Sequence, residues 1–339
     1  MSGRYLMTKH KAFSSGRGQM RLLPFLLCLM LFTGCQRKEE KPYSIHDGIR
    51  RMNALNTAYT EINHADGFSR GLALPEDGTA SAEDITAEAC LLVTNGQNEP
   101  ESIAYKNPFV KTYQASITKI MTALVCLQNK SDLSEEFTIT ESSVIHVSGS
   151  STANLRVGET LTIKDLLYGM LMPSGNDAAV AVAEATAGSV EQFVTMMNEE
   201  AMRLGCTGTH FINPNGLPDE RHYTTPYDIY LILREALKYD AFREIVSSAS
   251  YTAIYKDSNG VKKTQEWQNT DQYLTGERET PQGLVILGGK TGTTKAAGYC
   301  LTIGVQKSSD DSEYIAVVMK ADSHDDLYTN MTTLLSKIH

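Results

Sequence analysis

Between Ile117 and Val125 the apolar residues Ile117, Ile120, Met121, Leu124 and Val125 recur at helical spacing, which predicts a helix from about Ser116 to Leu127. Runs of a different kind lie on either side. Ala89–Thr94 and Ser102–Tyr105 read as a pair of strands with Asn95-Gly96 as a turn signal. Leu284–Gly289, Tyr299–Val305 and Tyr314–Met319 read as three more, and Asp325–Ile338 as a closing helix. The stretch between is helical. Lys164–Met172 is stopped by Pro173. Asp177–Ala187 ends at Gly188, and Val190–Leu204 ends at Gly205, a natural C-cap. Thr225-Pro226-Tyr227-Asp228 offers an N-cap, a Pro at N1 and an acid at N3 before a further apolar-periodic run. Strands at both ends of a helical block predict an α+β fold. The N- and C-terminal strands share a central antiparallel sheet flanked by helices, and the block forms a helical subdomain.

The first 84 residues read as something other than core. Basic residues precede an apolar run from Leu22 to Phe32, which is too short to span a bilayer and fits a secretory signal. Residues 1–34 hold Arg4, Lys9, Lys11, Arg17 and Arg21 and no acid, so the rest is five units more acidic than the formal net charge of −9. No Lys/Arg cluster is present to neutralise phosphates, so no nucleic-acid partner is expected. Residues 35–84 are polar and irregular, with a turn at Pro75-Glu76-Asp77-Gly78 and a helix near Ile45–Ile62, and read as a spacer. The folded domain is expected over 85–339. Cys90, Cys126, Cys206 and Cys300 match no metal-ligand spacing, so no metal or other cofactor is expected. Cys90, Cys126 and Cys300 sit in apolar runs and read as buried small hydrophobes.

Three short motifs carry the chemistry: Ser116-Ile117-Thr118-Lys119, Ser174-Gly175-Asn176 and Lys290-Thr291-Gly292. Each alone is weak, since a Ser opening a helix is often a cap and a Lys one turn on is often solvated. Their settings agree, however. The first opens a helix, the second follows Pro173 in a turn, and the third is read as ending a strand. Positions i and i+3 share a helix face, so Lys119 stands beside Ser116. A Ser hydroxyl needs a neighbouring base, and a Lys amine serves only when it is partly neutral. Burial among Ile117, Ile120 and Met121, with Lys290 as a second cation, would make it so. The helix start also favours negative charge developing at Ser116.

The order of the motifs is that of serine acyltransferases acting on penicillin and on peptidoglycan stems. The stretch Tyr113–Leu124 resembles the active-site helix of low-molecular-mass penicillin-binding proteins, the D-Ala-D-Ala carboxypeptidases of the S11 peptidase family. Arg156-Val157-Gly158-Glu159, Asp165–Leu171, Ser174–Ala179, His210–Leu217, His222–Thr225 and Lys290–Cys300 extend the similarity over residues 85–339. The resemblance implies a β-lactamase/transpeptidase-like fold. It implies that Ser116 attacks the penultimate D-Ala carbonyl of a peptidoglycan stem and that Lys119 takes the proton. It further implies that Ser174, helped by Lys290, relays a proton to the leaving amine, and that Asn176 binds substrate and orients Lys119. Lys290 and Thr291 would hold the terminal carboxylate. The third motif, with Gly292 and Thr293, would line the substrate strand, and the Ser116 and Thr293 N–H groups would form the oxyanion hole. β-Lactams are the implied covalent inhibitors. Leu31-Phe32-Thr33-Gly34-Cys35 resembles a bacterial lipobox, which implies a lipid on Cys35 and an extracytoplasmic protein held to the membrane.

The chain departs from this pattern in places. Thr270, in Gln268-Asn269-Thr270, stands where many relatives carry an Arg that grips the carboxylate. Pro226 replaces a common Ala. The sequence ends at His339 without the appended β-domain and C-terminal anchor of many relatives, a role the N-terminal lipid is expected to take. Three other readings stay open: an endopeptidase acting on cross-links, a class A-like β-lactamase and a non-catalytic penicillin sensor. The second is disfavoured because no E-x-x-L-N segment lies between Ser174 and Lys290.

Overall fold

The computed structural model describes residues 82–95, 100–145 and 147–338. The expectations for the signal, Cys35, the spacer helix and Gly96 lie outside the described residues.

Five strands form one antiparallel sheet in the order β2-β1-β9-β8-β7. They are β1 (Ala89–Thr94), β2 (Ser102–Lys106), β7 (Leu284–Thr294), β8 (Gly298–Lys307) and β9 (Glu313–Ala321). The N- and C-terminal strands therefore meet as expected, with Leu91 opposite Val317 where β1 pairs β9. Side chains alternate across the sheet. Leu91 and Val93 enter one apolar cluster with the helices, while Cys90 and Leu92 enter another beneath the last helix. Both faces are covered, so β1 is apolar throughout instead of alternating. Each fully buried Leu here contributes roughly 2 kcal/mol.

The central helix α1 (Thr118–Asn129) is buried from Thr118 through Cys126. It packs against α3 (Asn176–Ala187) and α5 (Pro226–Ala236). Helices α2 (Ile163–Leu171), α4 (Val190–Leu204) and α6 (Asp240–Val246) complete the helical block. A short α7 (Gln272–Thr275) precedes β7, and α8 (His324–Leu335) closes the chain against β9. The local signals behave as read. Gly188 and Gly205 end α3 and α4 with φ of 81° and 79°. Thr225 accepts from the Asp228 N–H ahead of Pro226.

Three expectations need correction. The block is not purely helical. It includes a second antiparallel sheet, β3-β4-β5-β6, built from Glu136–Thr138, Thr160–Thr162, Ser250–Lys256 and Lys262–Gln268. Its strands are half exposed and polar on one face, so they lack the apolar runs that mark the first sheet. The alternation of Tyr251, Ala253 and Tyr255, followed by the Asp257–Gly260 turn, was the available signal. Second, α1 does not begin at Ser116: a 3₁₀ turn, Ala115–Ile117, leads into it. Third, β7 does not stop before the third motif but runs through it to Thr294, pairing Lys290 with Thr302 and Gly292 with Cys300.

Candidate active site

The 3₁₀ turn places Ser116 at the mouth of a cavity of about 220 Å³, walled by Ser151, Asn176, Asn215, Leu217 and Thr293. Behind it, the α1 geometry brings Lys119 underneath. Lys119 is fully buried, and its Nζ donates to Ser116 Oγ at 2.9 Å, Asn176 Oδ1 at 2.7 Å and the Asn215 carbonyl at 2.7 Å. Burial drives its pKa well below the usual lysine value, and the positive charge of Lys290 drives it further; Asp177 pulls the other way. An amine whose pKa is lowered by its surroundings and that touches a hydroxyl is the arrangement a general base requires.

The turn itself is held from two sides. Ala115 sits at φ 47°, a conformation that costs about 1–2 kcal/mol for a residue with a β-carbon. Below it, Ile212 N–H donates to His222 Nδ1 at 3.0 Å, which leaves the proton on Nε2. Nε2 then donates to Thr118 Oγ1 at 2.8 Å, and Thr118 donates to the Ala115 carbonyl at 2.8 Å. His222 is buried, which lowers its pKa to about 4, so the imidazole is neutral and this chain of donors is intact at neutral pH. From above, Gly216 at φ 87° lies so close that a β-carbon there would stand 1.9 Å from the Ala115 oxygen.

The second motif follows Pro173. Ser174 has φ 62° and is 5% exposed, and its Oγ has no hydrogen-bond partner. A buried, unpaired hydroxyl costs about 1–3 kcal/mol, so its retention in a reactive site is informative. Gly175 passes against Gly169 and Ala153, where a β-carbon would meet the Gly169 oxygen at 2.6 Å. Asp177, the second residue of α3, fixes the facing loop. Its carboxylate accepts from Ala153 N at 2.7 Å and Leu155 N at 3.0 Å. The Trp267 indole donates to the Ala153 carbonyl at 3.1 Å from the other side.

The third motif lies along β7, an edge strand of the first sheet. Lys290 is 1% exposed; its Nζ donates to the Thr291 carbonyl at 3.0 Å and approaches Thr291 Oγ1 at 3.5 Å. Burial lowers its pKa to about 7, against the pull of Asp271. The Thr291 hydroxyl pairs with Thr270 Oγ1 at 2.6 Å. Ser116, Lys119, Ser174, Asn176, Lys290, Thr291, Gly292 and Thr293 come from three segments: Ser116 and Asn176 meet at the Lys119 amine, Gly292 lies against Ser116, Thr293 lines the same cavity, and Ser174, Lys290 and Thr291 flank these on the turn and on β7. Ser174 Oγ has no hydrogen-bond partner, and the Lys290 amine bonds instead to Thr291. Sequence reasoning gave no role to Asn215, Thr118, His222, Asp177 or Trp267. Four of these lie in the quoted family-like stretches, but only the fold shows what they touch. All four described cysteines are free and buried.

A Ser-Lys pair under a helix start, a buried Ser-Gly-Asn turn and a Lys-Thr-Gly edge strand on this α+β frame define a serine acyltransferase of the penicillin-binding class. The chain belongs to the D-alanyl-D-alanine carboxypeptidase family, Peptidase S11, whose sequence model it matches over residues 76–323. It is 34% identical over 274 residues to D-alanyl-D-alanine carboxypeptidase DacF of Bacillus subtilis, covering 79% of this chain and 66% of that protein. It is 29% identical over 253 residues to a D-alanyl-D-alanine endopeptidase of Pseudomonas aeruginosa, covering 75% of this chain and 77% of that protein. Among solved structures, it resembles the Streptomyces K15 DD-transpeptidase with a TM-score of 0.68 at 30% identity, over 75% of this chain and 97% of the other.

Proposed function

We propose that the chain is a serine D-alanyl-D-alanine carboxypeptidase that removes the terminal D-Ala from peptidoglycan stem pentapeptides through an acyl-enzyme on Ser116, and that it binds β-lactams covalently at the same residue. The observation that carries this reading is the fully buried Lys119 amine, 2.9 Å from Ser116 Oγ and with a depressed pKa. In this mechanism, Lys119 accepts the Ser116 proton as Oγ attacks the carbonyl. The N–H groups of Ser116 and Thr293 receive the developing oxyanion, worth about 10²–10³ in rate per donor. Ser174, its hydroxyl uncommitted to any protein acceptor, passes a proton to the departing D-Ala amine. Lys290 and Thr291, with Thr270 beside them, hold the terminal carboxylate. Water then releases the shortened stem.

The test is mass spectrometry of pentapeptide muropeptides after incubation with the soluble domain. Loss of one D-Ala, abolished together with fluorescent-penicillin labelling in Ser116→Ala, is the expected result. D-Ala release by Ser116→Ala would overturn the assignment of the nucleophile. The likeness to a D-alanyl-D-alanine endopeptidase favours a second reading, cleavage of cross-links, and cross-linked dimers in the same assay separate the two.

We further propose that the protein is an extracytoplasmic lipoprotein tethered to the membrane through Cys35. The reading rests on the Gly34-Cys35 pair after the apolar run from Leu22 to Phe32. More than one acyl chain on Cys35 would hold it stably. Cys35→Ser should move the protein from the membrane to the soluble fraction and remove the lipid mass from the N-terminal peptide. An unlipidated wild-type peptide would refute the tether.

A further inference from the structure

We propose that Asp271 is the counter-charge of Lys290, a positioning residue that sets the charge the site presents to the substrate's terminal carboxylate. The inference rests on the proposed acyl transfer and deepens its account of substrate binding.

Asp271 is 1% exposed. One carboxylate oxygen, Oδ1, accepts from the Tyr273 N–H at 3.0 Å as the cap of α7 and lies 3.5 Å from the Tyr328 hydroxyl. The other, Oδ2, is buried with no hydrogen-bond partner. A cap needs one oxygen, and a neutral Asn or Ser would supply it as well. The second oxygen and its charge are unexplained by the cap, and an uncompensated buried carboxylate is costly. The compensation comes from β7. Thr270 and Thr291 are joined through their hydroxyls at 2.6 Å, and Asp271 and Lys290 are their respective chain neighbours. Burial raises the Asp271 pKa to about 6 and the Lys290 charge works against it, while burial lowers Lys290 and the Asp271 charge works against that; Lys119, close enough to Lys290 to feel its charge, is a further cation. The other titratable groups facing Asp271 are Tyr273 on α7 and Tyr328 on α8, both with pKa values raised chiefly by burial. The Arg278 guanidinium lies 5.6 Å from the Tyr328 ring centre and pairs with Asp325.

This arrangement bears on the carboxylate site. With Thr at position 270, the cation assigned to the substrate carboxylate is a lysine buried deeply enough to lose its proton near neutral pH. A buried anion behind it keeps that lysine charged to higher pH.

The experiment is Asp271→Asn, which keeps an oxygen for Tyr273 and Tyr328 and removes the charge. The alkaline limb of kcat/KM for D-Ala release from a stem pentapeptide should move down by about one pH unit. The loss should appear in KM, about tenfold at pH 8 and falling to about twofold near pH 6, with kcat nearly unchanged. The second-order rate of acylation by benzylpenicillin, which also carries a carboxylate, should shift in parallel. That readout needs no peptidase activity, so a wild-type protein without D-Ala release refutes the proposed function and still tests the counter-charge. Superimposable alkaline limbs in a folded Asp271→Asn protein would leave Asp271 a cap only. A reciprocal measurement covers a variant that fails to fold. The Asp271 carboxyl, followed by ¹³C NMR, should titrate at higher pH in Lys290→Gln than in wild type, and an unmoved titration overturns the proposal.

Discussion

Gly292 lies against Ser116 so tightly that a β-carbon at 292 would stand 3.1 Å from the Ser116 nitrogen and 2.9 Å from the Gln114 oxygen. The last residue of the third motif therefore sets how closely β7 approaches the 3₁₀ turn, and with it the separation of the two N–H groups assigned to the oxyanion. Gly292→Ala should push the strand away by a few tenths of an ångström or more. The expected outcome is a fall of about 10²-fold in the rate of fluorescent-penicillin acylation with unchanged circular dichroism. An acylation rate within twofold of wild type would show that the contact has slack.

Ser174 stores strain that its hydroxyl justifies. Its backbone is left-handed at φ 62° and its Oγ is buried and unpaired. Ser174→Gly removes both costs, offset by the extra freedom glycine gives the unfolded chain, about 0.5–1 kcal/mol. The variant should be more stable than wild type by about 1 kcal/mol in urea titration and also more stable than Ser174→Ala, which keeps the strained backbone. Both should lose D-Ala release.

Asp177 acts twice, as acceptor for the Ala153 and Leu155 amides and as the negative charge that opposes the lowered pKa of Lys119. Asp177→Asn turns one accepting oxygen into a donor that faces an amide, at a cost of about 1–3 kcal/mol in unfolding free energy. Removing the charge lowers the Lys119 pKa further. The acid limb of the acylation rate, where Lys119 takes up its proton, should therefore move to lower pH. Measured stability and the pH–rate profile of the same variant check both halves.

His222 couples the nucleophile's turn to acid stability. Its folded pKa, about 4, lies below the ordinary value of 6.5, so between these limits the unfolded chain binds the proton and the folded protein does not. This contribution is complete above pH 6.5 and is lost as the pH falls to 4, about 3 kcal/mol in all. Asp271, raised to about 6, works in the opposite direction. The comparison must therefore be between wild type and His222→Gln, whose stability should fall less steeply from pH 6.5 to 4. Parallel curves would refute the assignment.

The first sheet was legible because its central strands are buried on both faces and their sequences are apolar without interruption, as in β1 and β9. The helix stops at Gly188 and Gly205 and the Thr225-Pro226 start were legible because caps are local chemistry. The second sheet was not, since Ser250–Lys256 and Lys262–Gln268 bury only part of one face and carry charge on the other. The course of β7 through Lys290-Thr291-Gly292 was also hidden. Glycines and a lysine read as a strand end until pairing with Thr302, Leu301 and Cys300 supplies the ladder.

By itself the sequence determined that the Ser116 hydroxyl and the Lys119 amine meet, because they are three positions apart at the start of a helix and that spacing needs no distant contact. Only the tertiary structure decided their reactivity. The depressed amine of Lys119 depends on burial and on Lys290, 171 positions away along the chain. The strained Ala115 is held by His222 and Gly216, and the unpaired hydroxyl of Ser174 is buried by its surroundings in the folded core. Desolvation and through-space charge are properties of what surrounds a group after folding, and residue order does not state them.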